Sequence, residues 1–245
     1  MTAFLIAALV ACSTSGDAPA SRAEARTMAA GADNVTFGSL ASLGALVQDS
    51  TLRRTVQVEG SAAAAPDVET SVLRWGDPDQ WSSARTRNGR VVRSVLVRGG
   101  VAWLGDASPT VRQPDAEPFR VQLAQTWDPW DAAFSVVRGQ LALVDEKDGS
   151  TREGRKAWRH SLQVAAPPDA DTPTGSRGRR PTWAVTSARG DVWLDEITAV
   201  RLAVNVHVEA RRTAGGGPPQ TMTLELETSI RDLGTIPTLD TPPSP

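Results

Sequence analysis

The 245-residue chain holds 26 basic and 28 acidic residues, a net charge of −2, so no global electrostatic case exists for a nucleic-acid partner. Hydrophobic residues make up 40 % and charged residues 22 %, the proportions of a globular domain rather than a disordered chain. The single cysteine excludes an intramolecular disulfide, so any core must be built from apolar burial.

Met1 to Ala11 read MTAFLIAALVA, uncharged and without proline. About nine apolar residues fall far short of the ~20 a membrane-spanning helix needs and match the h-region of a secretory signal. The run ends in Leu9-Val10-Ala11-Cys12, followed by Ser13. This resembles the bacterial lipobox: a branched apolar residue, two small ones that admit the peptidase, and a thiol that takes diacylglycerol. The resemblance implies cleavage before Cys12 and attachment to a membrane through lipid on that residue. With serine rather than aspartate after the cysteine, it also implies an outer-membrane anchor facing the periplasm in a Gram-negative host. The chain departs from the usual signal in its start, since the first basic residue is Arg22.

Residues 12–34, rich in Ala, Ser, Gly and Asp, cannot bury a core and predict a flexible tether. A single β-rich domain is expected over 35–236 and a Pro-rich disordered tail over 237–245. In Phe37 to Gln48 the spacing of Phe37, Leu40, Leu43, Leu46 and Val47 predicts a short amphipathic helix. Strands follow around Thr51–Glu59, Val68–Trp75, Trp81–Arg87, Val91–Arg98 and Val101–Leu104, with hairpin turns at Asn88-Gly89 and Gly99-Gly100. Ser108 to Pro118, with three prolines, reads as a loop. Phe119 to Gly139 is the one long helical candidate, interrupted or restarted by Pro129. Leu141–Val144 and Ala157–Val164 predict a strand pair around the charged turn DEKDGSTREGRK, and Ala166 to Pro181 a polar loop. Trp183 and Val185, then Gly190–Glu196, predict a further pair. The alternations of Val200 to Val208 and Met222 to Ile230 predict two long antiparallel strands with one apolar and one polar face.

The expected fold is therefore mainly β (α+β): a curled antiparallel sheet or unclosed β-barrel of about eleven strands, wrapped over a few helices. Strand count, inserted helices and tethered cysteine together resemble the periplasmic lipoprotein-localisation carriers and their lipid-carrying lipoprotein relatives. The best local match is Gly190 to Leu202 (GDVWLDEITAVRL), similar to the family's strand–turn–strand step, although Ala199-Val200 replaces the usual Gly or Pro. The resemblance implies a hydrophobic cavity between sheet and helices that binds acyl chains or lipids non-covalently. The membrane, and a lipid or acylated protein, would be the partners.

Trp158, His160, Leu162, Trp183 and Val185 look inward and are candidate lining residues. A core histidine bonded to backbone is the competing reading of His160, and plain core packing that of the tryptophans. His207 belongs to the polar face of its strand and reads as solvated. The two histidines lack zinc-ligand spacing. Asp128 and Asp131 suit a helix start better than an acid pair for glycoside cleavage. Asp145 to Gly149 mimics the opening of a calcium loop without its closing glutamate and reads as a turn. Arg177, Arg179 and Arg180 form a basic cluster suited to solvent or to phospholipid head groups. No nucleophile elbow or phosphate loop occurs. The expectation is a non-enzymatic, lipid-anchored envelope protein, without cofactor or metal, that binds a lipid or acylated ligand. The alternative is a structural or protein-interaction module with a filled core.

Overall fold

The computed structural model describes residues 42–106, 108, 110–116, 119, 129–137, 139–165, 183–212 and 217–239. The signal segment, Cys12, the tether, Asp128, the Arg177–Arg180 cluster and the tail from 240 onward lie outside the described residues. Eleven strands form one sheet: β1 (Leu46–Val58), β2 (Asp67–Asp77), β3 (Gln80–Arg87), β4 (Arg90–Arg98), β5 (Val101–Gly105), β6 (Val111–Gln113), β7 (Leu141–Arg152), β8 (Arg155–Val164), β9 (Ala184–Asp195), β10 (Arg201–Arg212) and β11 (Gln220–Arg231). Among the described residues a helix, α1 (Pro129–Phe134), falls between β6 and β7.

The spatial order is β6-β5-β4-β3-β2-β1-β11-β10-β9-β8-β7, antiparallel throughout. Two meanders, β1–β6 and β7–β11, are therefore sewn together by the first and last strands. The sheet is unclosed, with β6 and β7 as its edges. Two-residue turns join several strands because their residues accept positive φ. Asn88 and Gly89 stand at φ 50° and 78°, and Glu153 and Gly154 at 48° and 76°.

The inner face, on which α1 packs, carries two apolar clusters. The larger joins Leu52, Met222, Leu224, Leu226, Val204, Val206, Val208 and Leu162 to Trp130, Phe134 and Val137 from the α1 region. The smaller gathers Leu46, Leu73, Trp75, Trp81, Val95, Val97, Leu202 and Ile230. Trp130 meets Phe134 edge-on at 4.7 Å and lies beneath the Arg201 guanidinium at 4.9 Å.

Several expectations are corrected. The early helix ends at Leu43, since Gly44 adopts φ 79° and Leu46 to Gln48 already belong to β1; residues 37–41 lie outside the described residues. Of the few helices expected, α1 with Pro129 as its first residue is described, and residues 120–128 before it lie outside the described residues. The presumed loop over Ser108–Pro118 contains the edge strand β6. The charged stretch after Val144 is not all turn: β7 runs on to Arg152, and its pairing with β8 skips from Asp145 to Gly149 at a bulge.

Trp183/Val185 and Gly190–Glu196 are not two strands. Val185 and Gly190 to Asp195 lie in one strand, β9, with Trp183 just before it. Gly190 sits within β9 at φ 117°, where a Cβ would lie 2.1 Å from the Asn205 carbonyl oxygen. Only glycine fits so close an approach.

The step from β9 to β10 is locked by Asp195, whose residue is only 1 % exposed. It accepts hydrogen bonds from Arg155 Nε and Nη2 at 2.6 and 2.9 Å, and from the Thr198 amide and hydroxyl at 2.9 and 2.8 Å. Burial pushes its carboxyl up, but the Arg155 and Thr198 hydrogen bonds outweigh burial and hold it below the ordinary carboxylate value. Ala199 takes the left-handed conformation, φ 56°, in place of the glycine usual in such a turn.

Candidate functional site

Side chains on one face of a strand recur at every second residue. On β10 and β11 the inward set is almost wholly apolar. On β1 it runs Leu46, Gln48, Ser50, Leu52, Arg54; on β2 Asp67, Glu69, Ser71, Leu73, Trp75; and on β3 Trp81, Ser83, Arg85, Arg87. Register aligns Arg54 with Asp67, Leu52 with Glu69, Glu69 with Arg87 and Ser71 with Arg85. The apolar inner face thus gives way, at the end of β1–β3 nearest the Asn88-Gly89 turn, to a block of charge.

These charges surround a cavity of about 220 Å³ lined by Leu52, Arg54, Asp67, Glu69, Arg85 and Arg87. Diagonal ion pairs hold its walls. Arg85 Nη2 donates to Glu69 at 2.5 Å, and Arg87 donates from Nε and Nη2 to the two oxygens of Asp67 at 2.8 and 2.6 Å. The hairpin turn joins the wall: Asn88 Nδ2 donates to Asp67 at 3.0 Å, and its Oδ1 accepts the Val68 amide at 2.8 Å. The hydrogen bond from Arg87 holds the Asp67 carboxyl below its ordinary value against slight burial, aided by Asn88 and by the charges of Arg87 and Arg54. Asp67 is therefore an anion and an acceptor, not a proton carrier, near neutral pH. Three guanidinium groups and two carboxylates line the cavity. Arg85 Nε is buried and makes no hydrogen bond, a state that costs about 1–3 kcal/mol when no partner arrives.

The five residues expected to line a cavity do share the inner face, in the other half of the sheet. Leu162 and Trp183 belong to the larger cluster, and Trp158 and Val185 pack against it. His160 is fully buried between Trp158 and Leu162 along that face of β8. The Arg212 guanidinium lies over the Trp183 ring at 4.5 Å, and its Nε donates to Gln220 at 2.8 Å.

On the outer face His207 stands between Glu209 and Glu225, at 3.2 and 3.3 Å, beside a smaller cavity of about 150 Å³. It is a partly shielded histidine between carboxylates rather than a freely solvated one. Among the described residues no group of three or more His, Cys, Asp or Glu could hold a metal ion.

The charged cavity was missed in the sequence, although a signal was there. Arg85 and Arg87 continue the every-second-residue series of Trp81, and Asp67 and Glu69 that of Trp75. A charge in phase with a tryptophan points to a polar place on a core-facing surface.

No family model and no curated protein matches the chain. Among solved structures, a DUF1329 family protein from Desulfovibrio piger is similar over 81 % of this chain and 92 % of its own, at 9 % identity and a TM-score of 0.24. A domain assigned to outer membrane lipoprotein sorting, from Vibrio parahaemolyticus, is similar over 82 % of this chain and 93 % of its own, at 12 % identity and a TM-score of 0.21.

Proposed function

We propose that this chain is a lipid-anchored envelope protein, attached through Cys12, whose sheet binds a lipid or an acylated ligand without chemically transforming it. The observation that carries the reading is that one residue belongs to both environments. Leu52 lines the charged cavity and is also a member of the larger apolar cluster. A polar head and an acyl chain thus find adjoining surfaces, the head among Arg54, Asp67, Glu69, Arg85 and Arg87. The chain would run toward Leu162, Trp183, Trp158, His160 and Val185.

Entry for the chain falls to α1. Trp130, Ala133, Phe134 and Val137 insert into the cluster beside Leu52. At six residues the helix is far below the ~12–15 that an isolated helix needs for even marginal stability, so its order depends on this packing. A chain that replaces those side chains displaces the helix and restores the burial it loses.

Native mass spectrometry of the protein purified without detergent, followed by solvent extraction, tests the reading. Co-purifying lipid near unit stoichiometry is the expected result. A clean apo mass, with no uptake of added phospholipid or fatty acid, would sink it and leave an anchored interaction domain with a filled core.

A further inference from the structure

We infer that Asn88 is a site of spontaneous deamidation, and that its side-chain hydrogen bonds to β2 set the rate. The reaction is an intramolecular attack. The Gly89 amide nitrogen bonds to Asn88 Cγ, and the Cγ–Nδ2 bond breaks. Nδ2 leaves as ammonia, its third hydrogen being the proton that the Gly89 nitrogen gives up. Water then opens the cyclic imide at either carbonyl. One cleavage leaves aspartate in an intact backbone; the other leaves isoaspartate, with the backbone rerouted through Cβ and Cγ. Water is the only co-reactant, and nothing is oxidised or reduced.

Three observations single out this position. Asn88 and Gly89 are both exposed, and a Cβ built on Gly89 would meet nothing within 4 Å, so water reaches the reacting atoms. Glycine also presents its nitrogen unshielded, whereas Asn34 and Asn205 precede Val35 and Val206, whose branched side chains crowd the attacking atom. The hairpin itself demands the reactive pair, since both residues stand at positive φ, 50° and 78°.

The fold that requires the pair also restrains it. Asn88 Oδ1 accepts the Val68 amide at 2.8 Å, and Nδ2 donates to Asp67 at 3.0 Å. These bonds tie the side chain to β2, whereas Gly89 leads into β4, on the other side of β3. For Cγ to close on the Gly89 nitrogen the side chain must let go of β2, a local opening whose free energy scales the rate. Once Nδ2 is lost, a carboxylate oxygen stands where a donor faced Asp67, and like charges that close repel. Isoaspartate also lengthens a turn built for two ordinary residues. Either product unfastens the turn from the Asp67 wall of the cavity.

The test is peptide mass spectrometry on protein kept at mildly alkaline pH, folded and in urea, with D67A and R85Q alongside. The peptide bearing Asn88 should gain the mass that separates an acid from an amide, and those bearing Asn34 and Asn205 should not. The folded protein should convert about tenfold more slowly than the unfolded chain. D67A removes the partner of Nδ2 and should convert several-fold faster than the unaltered folded protein. Asp67 belongs to neither apolar cluster, so D67A keeps the core. R85Q breaks the Glu69 pair on the same strands without touching Asn88 and should convert at the unaltered rate. N88D should lower the urea midpoint, and adding D67N, which returns a donor to the contact, should recover it.

No conversion in the folded protein or in D67A, while the unfolded chain converts, overturns Asn88 as a site of modification in the fold. Equal rates in the folded and unfolded chains, or equal acceleration by D67A and R85Q, overturn control by the hydrogen bonds. A midpoint unmoved by N88D overturns the unfastening of the turn.

Discussion

The two ends of the inner face are built on different rules. On β10 and β11 the inward residues Leu202, Val204, Val206, Val208, Ala210, Met222, Leu224, Leu226 and Ile230 are all buried and apolar, with Thr228 a buried polar member and Arg212 and Gln220 polar at the strand ends. On β1–β3 the same face starts as apolar, at Leu46, Trp75 and Trp81, and ends as charged, at Arg54, Asp67, Glu69, Arg85 and Arg87. An inward charge is a cost to folding unless paired, and here two ion pairs cover most of it. Stability is concentrated in the first region, and chemical selectivity is available in the second. Substitutions should separate them: large effects on unfolding and none on ligand choice in one region, the reverse in the other.

The largest effect should come from Gly190→Ala. Positive φ alone strains an alanine, and the added Cβ would meet the Asn205 carbonyl oxygen at 2.1 Å and Val206 Cα at 2.7 Å. Backbone atoms of a paired strand cannot turn aside, so β9 and β10 must part. A loss of about 3–4 kcal/mol is expected, read as a fall in the urea midpoint at unchanged slope. Leu224→Ala comes next. It empties a fully buried site in the larger cluster and should cost about 3 kcal/mol. An equal loss on removing a charged side chain from β2 or β3 would break the contrast between the regions.

Acid tests the same contrast through Asp195. Its folded pKa lies below the ordinary value because Arg155 and Thr198 outweigh burial, so its contribution is present above the unfolded value of ~3.9 and is lost as pH falls through the folded one. Stability should therefore fall below about pH 4. Asp195→Asn should lower stability by about 2 kcal/mol near neutrality and flatten that acid limb. Asp67 is shifted in the same direction and should leave a residual slope in the variant. An unchanged limb would show that the β9–β10 lock contributes no pH dependence.

The meander halves were legible in the sequence because alternation over ten or more residues is a strong signal; β10 and β11 need nothing else. Hairpins at Asn88-Gly89 and Gly99-Gly100 were legible for the same kind of reason, since few residue pairs accept two positive φ angles. What stayed hidden depends on contacts distant in sequence. Nothing local says that β1 pairs with β11, 182 residues apart at the Asp49–Arg231 ion pair. Nothing local makes Gly190 an interior strand residue, because its reason is the Asn205 carbonyl on the next strand. Of the helical stretch expected over Phe119–Gly139, Phe119 and Pro129–Phe134 are helical, and residues 120–128 lie outside the described residues. The charged cavity was hidden in a further way: Asp67 and Glu69 look like ordinary solvent-facing strand residues until their phase is counted from Trp75.

The smallest effect expected is the one that bears most directly on the charged end. Glu69→Gln removes one partner of an ion pair whose side chains are 44 % and 22 % exposed. Pairs this open contribute little, because water solvates both partners once they separate and salt screens what remains. Stability should change by no more than about 0.5 kcal/mol, and thermal and urea unfolding should be close to those of the unaltered protein. An equally stable variant would separate this region from the work of folding. A loss of 2 kcal/mol or more would instead make the Glu69–Arg85 pair part of the core and assign both ends of the inner face to stability.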